Sequence, residues 1–326
     1  MPANLPPQYF EAEKRYRLAK DPEEKIGALQ AMLAIMPKHK GTDKLHAELR
    51  RKIAKLSDEA ERKYATARRA GLYIGREGAG QVILVGLANV GKSQLLASLT
   101  EASPEIAPYP YTTKTALPGM MKFEDIQIQL VDTPPIGDKH VRILLTNSLR
   151  SADLIAIVVD LGVESAGQVE ATLQGLREAR IEPLSGNPEE ATPGSYQKKM
   201  LIIGNKSDLA GSTSRWAELM SRYSGFVPMV STSAKEGEGL DKLKESIYKA
   251  LDIVRIYTKA PGSKADLTEP VILRKGSTAM DAAESIHKDF HQNLKYVVVW
   301  GSGKYDGQRV SRDHALQDGD VVEFHV

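Results

Sequence analysis

The chain has 326 residues, 41% of them hydrophobic and 26% charged, with a formal net charge of +2 and no cysteine. That length accommodates two or three domains with their own cores, and the composition is ordinary for a soluble chain. The lack of thiols excludes disulfides, thiolate metal ligands and cysteine nucleophiles.

Met1–Pro7 lacks the charged and apolar regions of a signal peptide, and no apolar run is long enough to span a bilayer. The sequence therefore predicts a cytoplasmic protein with no membrane partner. The small net charge conceals an asymmetry. Residues 1–80 carry 17 Lys+Arg against 11 Asp+Glu, whereas residues 81–255 carry 18 against 21 and residues 271–326 carry 7 against 8.

Residues 1–80 read as a basic helical region. Asp21-Pro22-Glu23-Glu24 supplies an N-cap, a proline at N1 and a carboxylate at N3. Ile26, Leu29, Leu33 and Met36 then fall on one face, and Pro37 stops the run. A second start at Thr42 leads into the stripe Leu45, Leu49, Ile53 and Leu56. The two stripes predict an α-helical hairpin. The opposite face carries Lys44, Arg51, Lys52 and Lys55, followed by Arg62, Lys63, Arg68 and Arg69. Such a face is either simply solvated or meets an anionic partner such as RNA, which the charge asymmetry favours.

From Gln81 to about residue 256 strands and helices alternate. Strand-like runs are Val82–Val85, Ile126–Val131, Leu154–Val159, Met200–Ile203 and Phe226–Val230, the last an edge strand because Pro228 cannot donate to a ladder. Helical stretches fall near 91–100, 139–150, 164–179, 213–223 and 238–254. The alternation predicts a doubly wound parallel sheet with helices on both faces. Residues 182–198 form a polar loop and 257–269 a linker. Residues 270–326 hold strands at Pro270–Arg274, Tyr296–Trp300 and Val321–Val326 with a helix around Ala279–Phe290, a small sheet crossed by one helix. His287 and His291 are four apart on that helix, but no third metal ligand accompanies them.

The most informative stretch is Gly86-Leu87-Ala88-Asn89-Val90-Gly91-Lys92-Ser93, lying between a strand and a helix that opens at Gln94. This is a P-loop in its required context, where backbone N–H groups and the helix N-terminus face phosphate oxygens. Lys92 is expected to reach the β- and γ-phosphates, and the Ser93 hydroxyl to ligate Mg²⁺. Thr112-Thr113 follows in a loop rich in proline and tyrosine, placed to complete the Mg²⁺ shell. Asp132, ending its strand, is placed to hold the ion through water. Asn205-Lys206-Ser207-Asp208 comes next, and an aspartate there pairs with the N1–H and N2 amino group of guanine, which adenine does not offer. Ser233-Ala234-Lys235 closes over the base. These elements occupy strand ends, where open α/β sheets bind ligands, and they predict GTP or GDP as ligand.

The set Gly86–Ser93, Thr112-Thr113, Asp132-Thr133-Pro134, Asn205–Asp208 and Ser233–Lys235 resembles a translation-factor-related GTPase. Tyr109-Pro110-Tyr111-Thr112-Thr113 resembles switch I of the Obg and developmentally-regulated-GTP-binding (DRG) superfamily, in which Thr113 corresponds to the magnesium threonine. Pro37–Leu45 is similar to the helical leader of DRG proteins. Arg274–Thr278, Ile286-His287 and Leu316–Val321 resemble a TGS domain, a β-grasp module. The resemblance implies a GTP-hydrolysing switch associated with ribosome or RNA through the basic helices and the TGS-like segment. It implies Lys92 and Thr113 as the catalytic pair.

Three departures stand out. Proline follows Asp132-Thr133-Pro134 where the family carries glycine, which removes a backbone N–H from the γ-phosphate. The glycine-rich stretch after it is missing. The interval from Asp132 to Asn205 has no room for the domain that DRG proteins insert. In Ras-like proteins a glutamine orients the attacking water; here Ile136 stands at that position. Slow intrinsic turnover is expected, and a nucleotide-binding scaffold with little hydrolysis is the rival reading. Asn89 either caps the loop or ligates a K⁺ that stimulates hydrolysis, as in potassium-stimulated relatives.

Overall fold

The alternation from Gln81 onward builds the expected α/β layers in a computed structural model, which describes residues 6–18, 22–36, 46–56, 74–100, 116–184, 192–286 and 293–325. The readings made at Pro37–Leu45, Arg62, Lys63, Arg68, Arg69, Thr112, Thr113, His287 and His291 lie outside the described residues. The chain divides into two compact units, Met1–Gly71 and Leu72–Val326.

The first unit contains three described helices, the expected pair α2 (Pro22–Ile35) and α3 (46–56) and, ahead of them, α1 (Pro7–Leu18). Leu29 and Met32 of α2, with Met36 just beyond it, pack with Tyr9 and Ala12 of α1 and Leu49 of α3. Each such burial is worth ~1.5–3 kcal/mol. Only Tyr9, Phe10, Ala12, Tyr16 and Leu18 interrupt the charges of α1, so its stripe is faint in sequence. Arg51, Lys52 and Lys55 are exposed on α3 as expected. Lys52 is drawn to Glu48 one turn back, at 2.8 Å.

In the second unit β1 (Gln81–Val85), β2 (Leu117–Phe123), β3 (Ile126–Asp132), β4 (Leu154–Asp160), β5 (Ile181–Pro183), β6 (Tyr196–Asn205) and β7 (Met229–Ser231) join one sheet. Their order is β2-β3-β1-β4-β6-β5, with β7 also on β6. Every residue of β1 is buried, as a strand covered on both faces requires. Its side chains alternate between two cores. Ile83 and Val85 face α5 (Lys139–Ser151), α6 (Ala166–Glu178) and α7 (Ser212–Tyr223). Val82 and Leu84 face α4 (Lys92–Leu99) and α8 (Leu240–Leu251).

The sheet is not wholly parallel. β2 runs antiparallel to β3 through the two-residue turn Glu124-Asp125, with Leu117 opposite Asp132. Pro118 and Gly119 weaken the strand signal in its sequence, and an edge position tolerates both. β7 pairs only with β6, so the edge expected from Pro228 is found.

The chain then forms a five-stranded sheet, β11-β10-β12-β8-β9, from β8 (Ile253–Thr258), β9 (Asp266–Arg274), β10 (Tyr296–Trp300), β11 (Gln308–Val310) and β12 (Asp320–His325). Helix α9 (Ala279–Ile286) contributes Ala279, Ala282 and Ala283 to its core. This corrects the reading of 257–269 as a linker and of 238–254 as one helix. Asp252 adopts a left-handed conformation that ends α8, and β8 begins at once. Val254 and Ile256 are buried while Arg255 and Tyr257 point the other way, the period-2 pattern of a strand.

Arg255 also fastens this sheet to the first. Its guanidinium bonds Glu124, Asp125 at 2.7 Å and Asp318 at 2.8 Å. Tyr257 donates to Asp125 at 2.6 Å and Tyr248 to Asp318 at 2.6 Å. Burial alone would raise the Asp318 pKa, but Arg255 and Tyr248 reverse this and hold it at about 2.

Candidate functional site

All seven predicted P-loop residues, Gly86 and Asn89–Gln94, meet at the carboxyl end of β1. Gly91 leads into α4 with φ 93, and a Cβ there would collide with the Asn205 side chain. Glycine is thus required by a close approach as well as by backbone angle. Val90 is buried, Asn89 is exposed with φ 63, and Ser93 and Gln94 are exposed on the first turn of α4. Lys92 is 7% exposed, and its ammonium donates to the carbonyls of Gly86 at 3.3 Å and Leu87 at 2.9 Å. Burial lowers its pKa, against the pull of Asp132.

Asp132, at the end of β3, faces this lysine. Its Oδ2 accepts the Ser93 hydroxyl at 2.5 Å, while its Oδ1 is buried with no partner. Burial pushes its pKa up, opposed by Ser93 and Lys92. Beyond it, Thr133 donates to the Leu84 carbonyl at 2.7 Å. Ile136 is fully buried in the core under α5 and α6. Its N–H reaches Gly86 O at 3.2 Å, and its carbonyl accepts Arg142 Nη1 at 3.0 Å. Arg142 is itself held by Glu178 at 2.5 Å. The turn after Asp132, 133–138, which corresponds to switch II of Ras-like GTPases, is therefore tied down at side chain and backbone.

The base-reading loop is laced to the P-loop. Asn205, 1% exposed, donates from Nδ2 to Val90 O at 2.9 Å and accepts the Ala234 N–H at 3.1 Å. Lys206 donates to Asn89 O at 2.9 Å. The buried Ser233 hydroxyl donates to Asp208 Oδ1 at 2.6 Å, and that bond first of all lowers the pKa of this exposed carboxyl. Ala234 O accepts Ser98 Oγ of α4 at 2.9 Å. Lys235 points to solvent beside Glu236.

All the predicted site residues except Thr113, which lies outside the described residues, thus converge on one end of the sheet. Arg142 and Asp160 escaped sequence reasoning, and Thr133 was noted only as part of the Asp132-Thr133-Pro134 motif. Asp160 ends β4 as Asp132 ends β3, and that strand-end position was its signal.

Residues 81–206 match the sequence model described as 50S ribosome-binding GTPase, and residues 254–326 match that of the TGS domain. Fold and site define a P-loop GTPase followed by a TGS domain. An uncharacterised GTP-binding protein of Methanocaldococcus jannaschii is 30% identical over 368 aligned positions, covering 93% of each chain. Human developmentally-regulated GTP-binding protein 2 is 26% identical, covering 92% of this chain and 98% of its own. The chain belongs to this DRG family of GTP-binding proteins. The aligned length exceeds the 326 residues present, so the archaeal relative carries segments missing here. The YchF GTPase of Schizosaccharomyces pombe shares the fold, with a TM-score of 0.51 at 15% identity over 78% of this chain and 99% of its own.

Proposed function

We propose that this chain is a slow GTP-hydrolysing switch that docks on the ribosome or another RNA assembly in a nucleotide-dependent way. The observation that supports the guanine reading is the exposed Asp208 carboxylate, kept ionised by the Ser233 hydroxyl, on a loop that Asn205 ties to Val90 of the P-loop and to Ala234. Asp208 follows on the same loop, its carboxylate bonded by the Ser233 hydroxyl at 2.6 Å, which supports a base on that side and phosphates at the P-loop.

The donor set fits Mg²⁺: a buried carboxylate oxygen without a partner beside a serine hydroxyl at the head of a helix. Ser93 would hold the ion directly and Asp132 through water, with Thr113 as the third contributor. Once bound, the ion would neutralise charge on the β- and γ-phosphates. Lys92 would exchange its two carbonyl partners for phosphate oxygens, regaining a counter-charge for an ammonium whose pKa burial now depresses. The α4 N-terminus adds its dipole.

Neither of the two positions after Pro134 offers a side chain that could orient water. Pro135 has no N–H and Ile136 is packed into the core, which supports a slow basal rate, on the order of 10⁻⁴ s⁻¹ or below. The same observation favours the second reading, a GTP-binding scaffold that barely hydrolyses. A K⁺ held by Asn89 would supply part of the missing positive charge. Single-turnover hydrolysis in KCl and in NaCl at equal ionic strength separates these readings; a rate indistinguishable from uncatalysed GTP in both leaves the scaffold.

Support for the docking reading comes from the family description of residues 81–206 and from the basic region 1–80. Co-sedimentation with ribosomes in GDP, in a non-hydrolysable GTP analogue and without nucleotide tests it. Equal or absent binding in all three states overturns it.

A further inference from the structure

The carboxylate of Asp160, last residue of β4, stands at the same end of the sheet as the P-loop but belongs to no nucleotide motif. Its Oδ2 lies 2.5 Å from Lys206 Nζ, with the two side chains 15% and 32% exposed. The same ammonium donates to Asn89 O at 2.9 Å. Lys206 thus spans from the base-reading loop to the P-loop and is tied at its far end by two acceptors. Its backbone is left-handed, at φ 64, which fixes the direction in which its stem departs.

Asp160 is itself rigidly held. Its Oδ1 accepts the Gly162 N–H at 2.7 Å. Its backbone N–H and C=O both bond the buried side-chain amide of Gln168, at 2.9 and 3.1 Å, and the carbonyl also accepts Ser165 Oγ at 3.0 Å. Leu161 N–H reaches Asn205 O at 2.9 Å. The β4 end is thereby bonded to the base-reading loop through both backbone and side chain.

We propose that Asp160 is a positioning residue for guanine nucleotides, acting through Lys206. It holds the ammonium against the P-loop so that the lysine stem forms a standing wall beside the span between base and phosphates. A lysine left to itself samples many rotamers, and ordering it on binding opposes affinity. Asp160 orders it beforehand. Its effect falls on how long nucleotide stays, equally for GDP and GTP. This rests on the reading of 205–208 as the guanine loop.

Asp160→Asn is the discriminating change, because an amide oxygen still accepts the Gly162 N–H while the charge is lost. Release of N-methylanthraniloyl-GDP, chased with unlabelled GDP in Mg²⁺ buffer, is measured for wild type, Asp160→Asn, Lys206→Met and the double variant, alongside melting temperatures. Losing a charge-assisted bond should speed release by about tenfold. The double variant should release no faster than Lys206→Met alone, since the carboxylate works through the ammonium.

Release within twofold of wild type overturns the proposal, and so does a double variant whose effects multiply, which marks a merely structural role. If Asp160→Asn does not fold, Asp160→Ser gives the same readout, its hydroxyl still serving the Gly162 turn. A wild-type protein that binds adenine and guanine nucleotides alike overturns the guanine-loop reading itself, a result distinct from unchanged release.

Discussion

The Asp208 carboxylate stands in solvent with one hydroxyl, that of Ser233, bonded to it. That bond keeps it ionised, and on the proposed reading its remaining acceptor capacity is what a guanine edge would occupy. Asp208→Asn should therefore weaken GTP binding by on the order of a hundredfold, and xanthosine triphosphate, whose C2 oxygen suits an amide donor, should gain. Competition titrations with GTP, ATP and xanthosine triphosphate check this; unchanged GTP affinity in the variant would remove Asp208 from the site. At this scale much of the candidate site was legible, because Gly91, Lys92, Ser93 and Asn205-Lys206-Ser207-Asp208 carry meaning at fixed spacing. Asp160 was not. Its partner Lys206 lies 46 residues away, and a single aspartate ending a strand reads like any turn residue.

Among the elements, the switch II turn departs furthest from what its sequence alone suggests. Without a catalytic side chain, Ile136 looks dispensable; in the fold it fills the core between α5 and α6, with Gly175 pressed against it. Ile136→Ala should cost about 2–5 kcal/mol of stability through the cavity it leaves, while hydrolysis by the folded fraction stays within about tenfold. Urea titration and single-turnover rates measured on the same preparation separate the two effects. A stable variant with abolished hydrolysis would contradict the burial argument. The strands of the parallel core were plain as apolar runs, since both of their faces are covered. β2, β5 and β8 were not. β2 is broken by Pro118 and Gly119, β5 has only three residues, and the alternation of β8 was absorbed into the helix before it. What is lost at each is periodicity, either too short or too interrupted to register.

Across the whole molecule, charge is the feature most readable from sequence: the excess of positive residues sits in 1–80 and the structure leaves Arg51, Lys52 and Lys55 exposed on α3. Replacing these three with glutamine should flatten the salt dependence of RNA affinity by up to about one unit of slope per lost phosphate contact. The change should be less than three units, since Lys52 is already engaged by Glu48, and GTP affinity should not move. A salt titration with an unaltered slope would return this face to plain solvation. The joint at Arg255 was invisible in sequence, for it unites residues 131 and 63 positions apart. Removing the guanidinium leaves Glu124, Asp125 and Asp318 facing one another without their counter-ion, so Arg255→Met should cost on the order of 3 kcal/mol. Those separations bear also on how the chain folds. Closing loops of such length is entropically slow, and contacts that span them form late in the approach to the native state. Interactions absent from the transition state alter escape rather than entry. Arg255→Met should therefore leave refolding within about twofold of wild type and accelerate unfolding by roughly a hundredfold; stopped-flow chevrons read both limbs, and a slowed refolding limb would place the joint in the nucleus instead. On that account Arg255 is a latch on the finished protein, governing how long the native state persists.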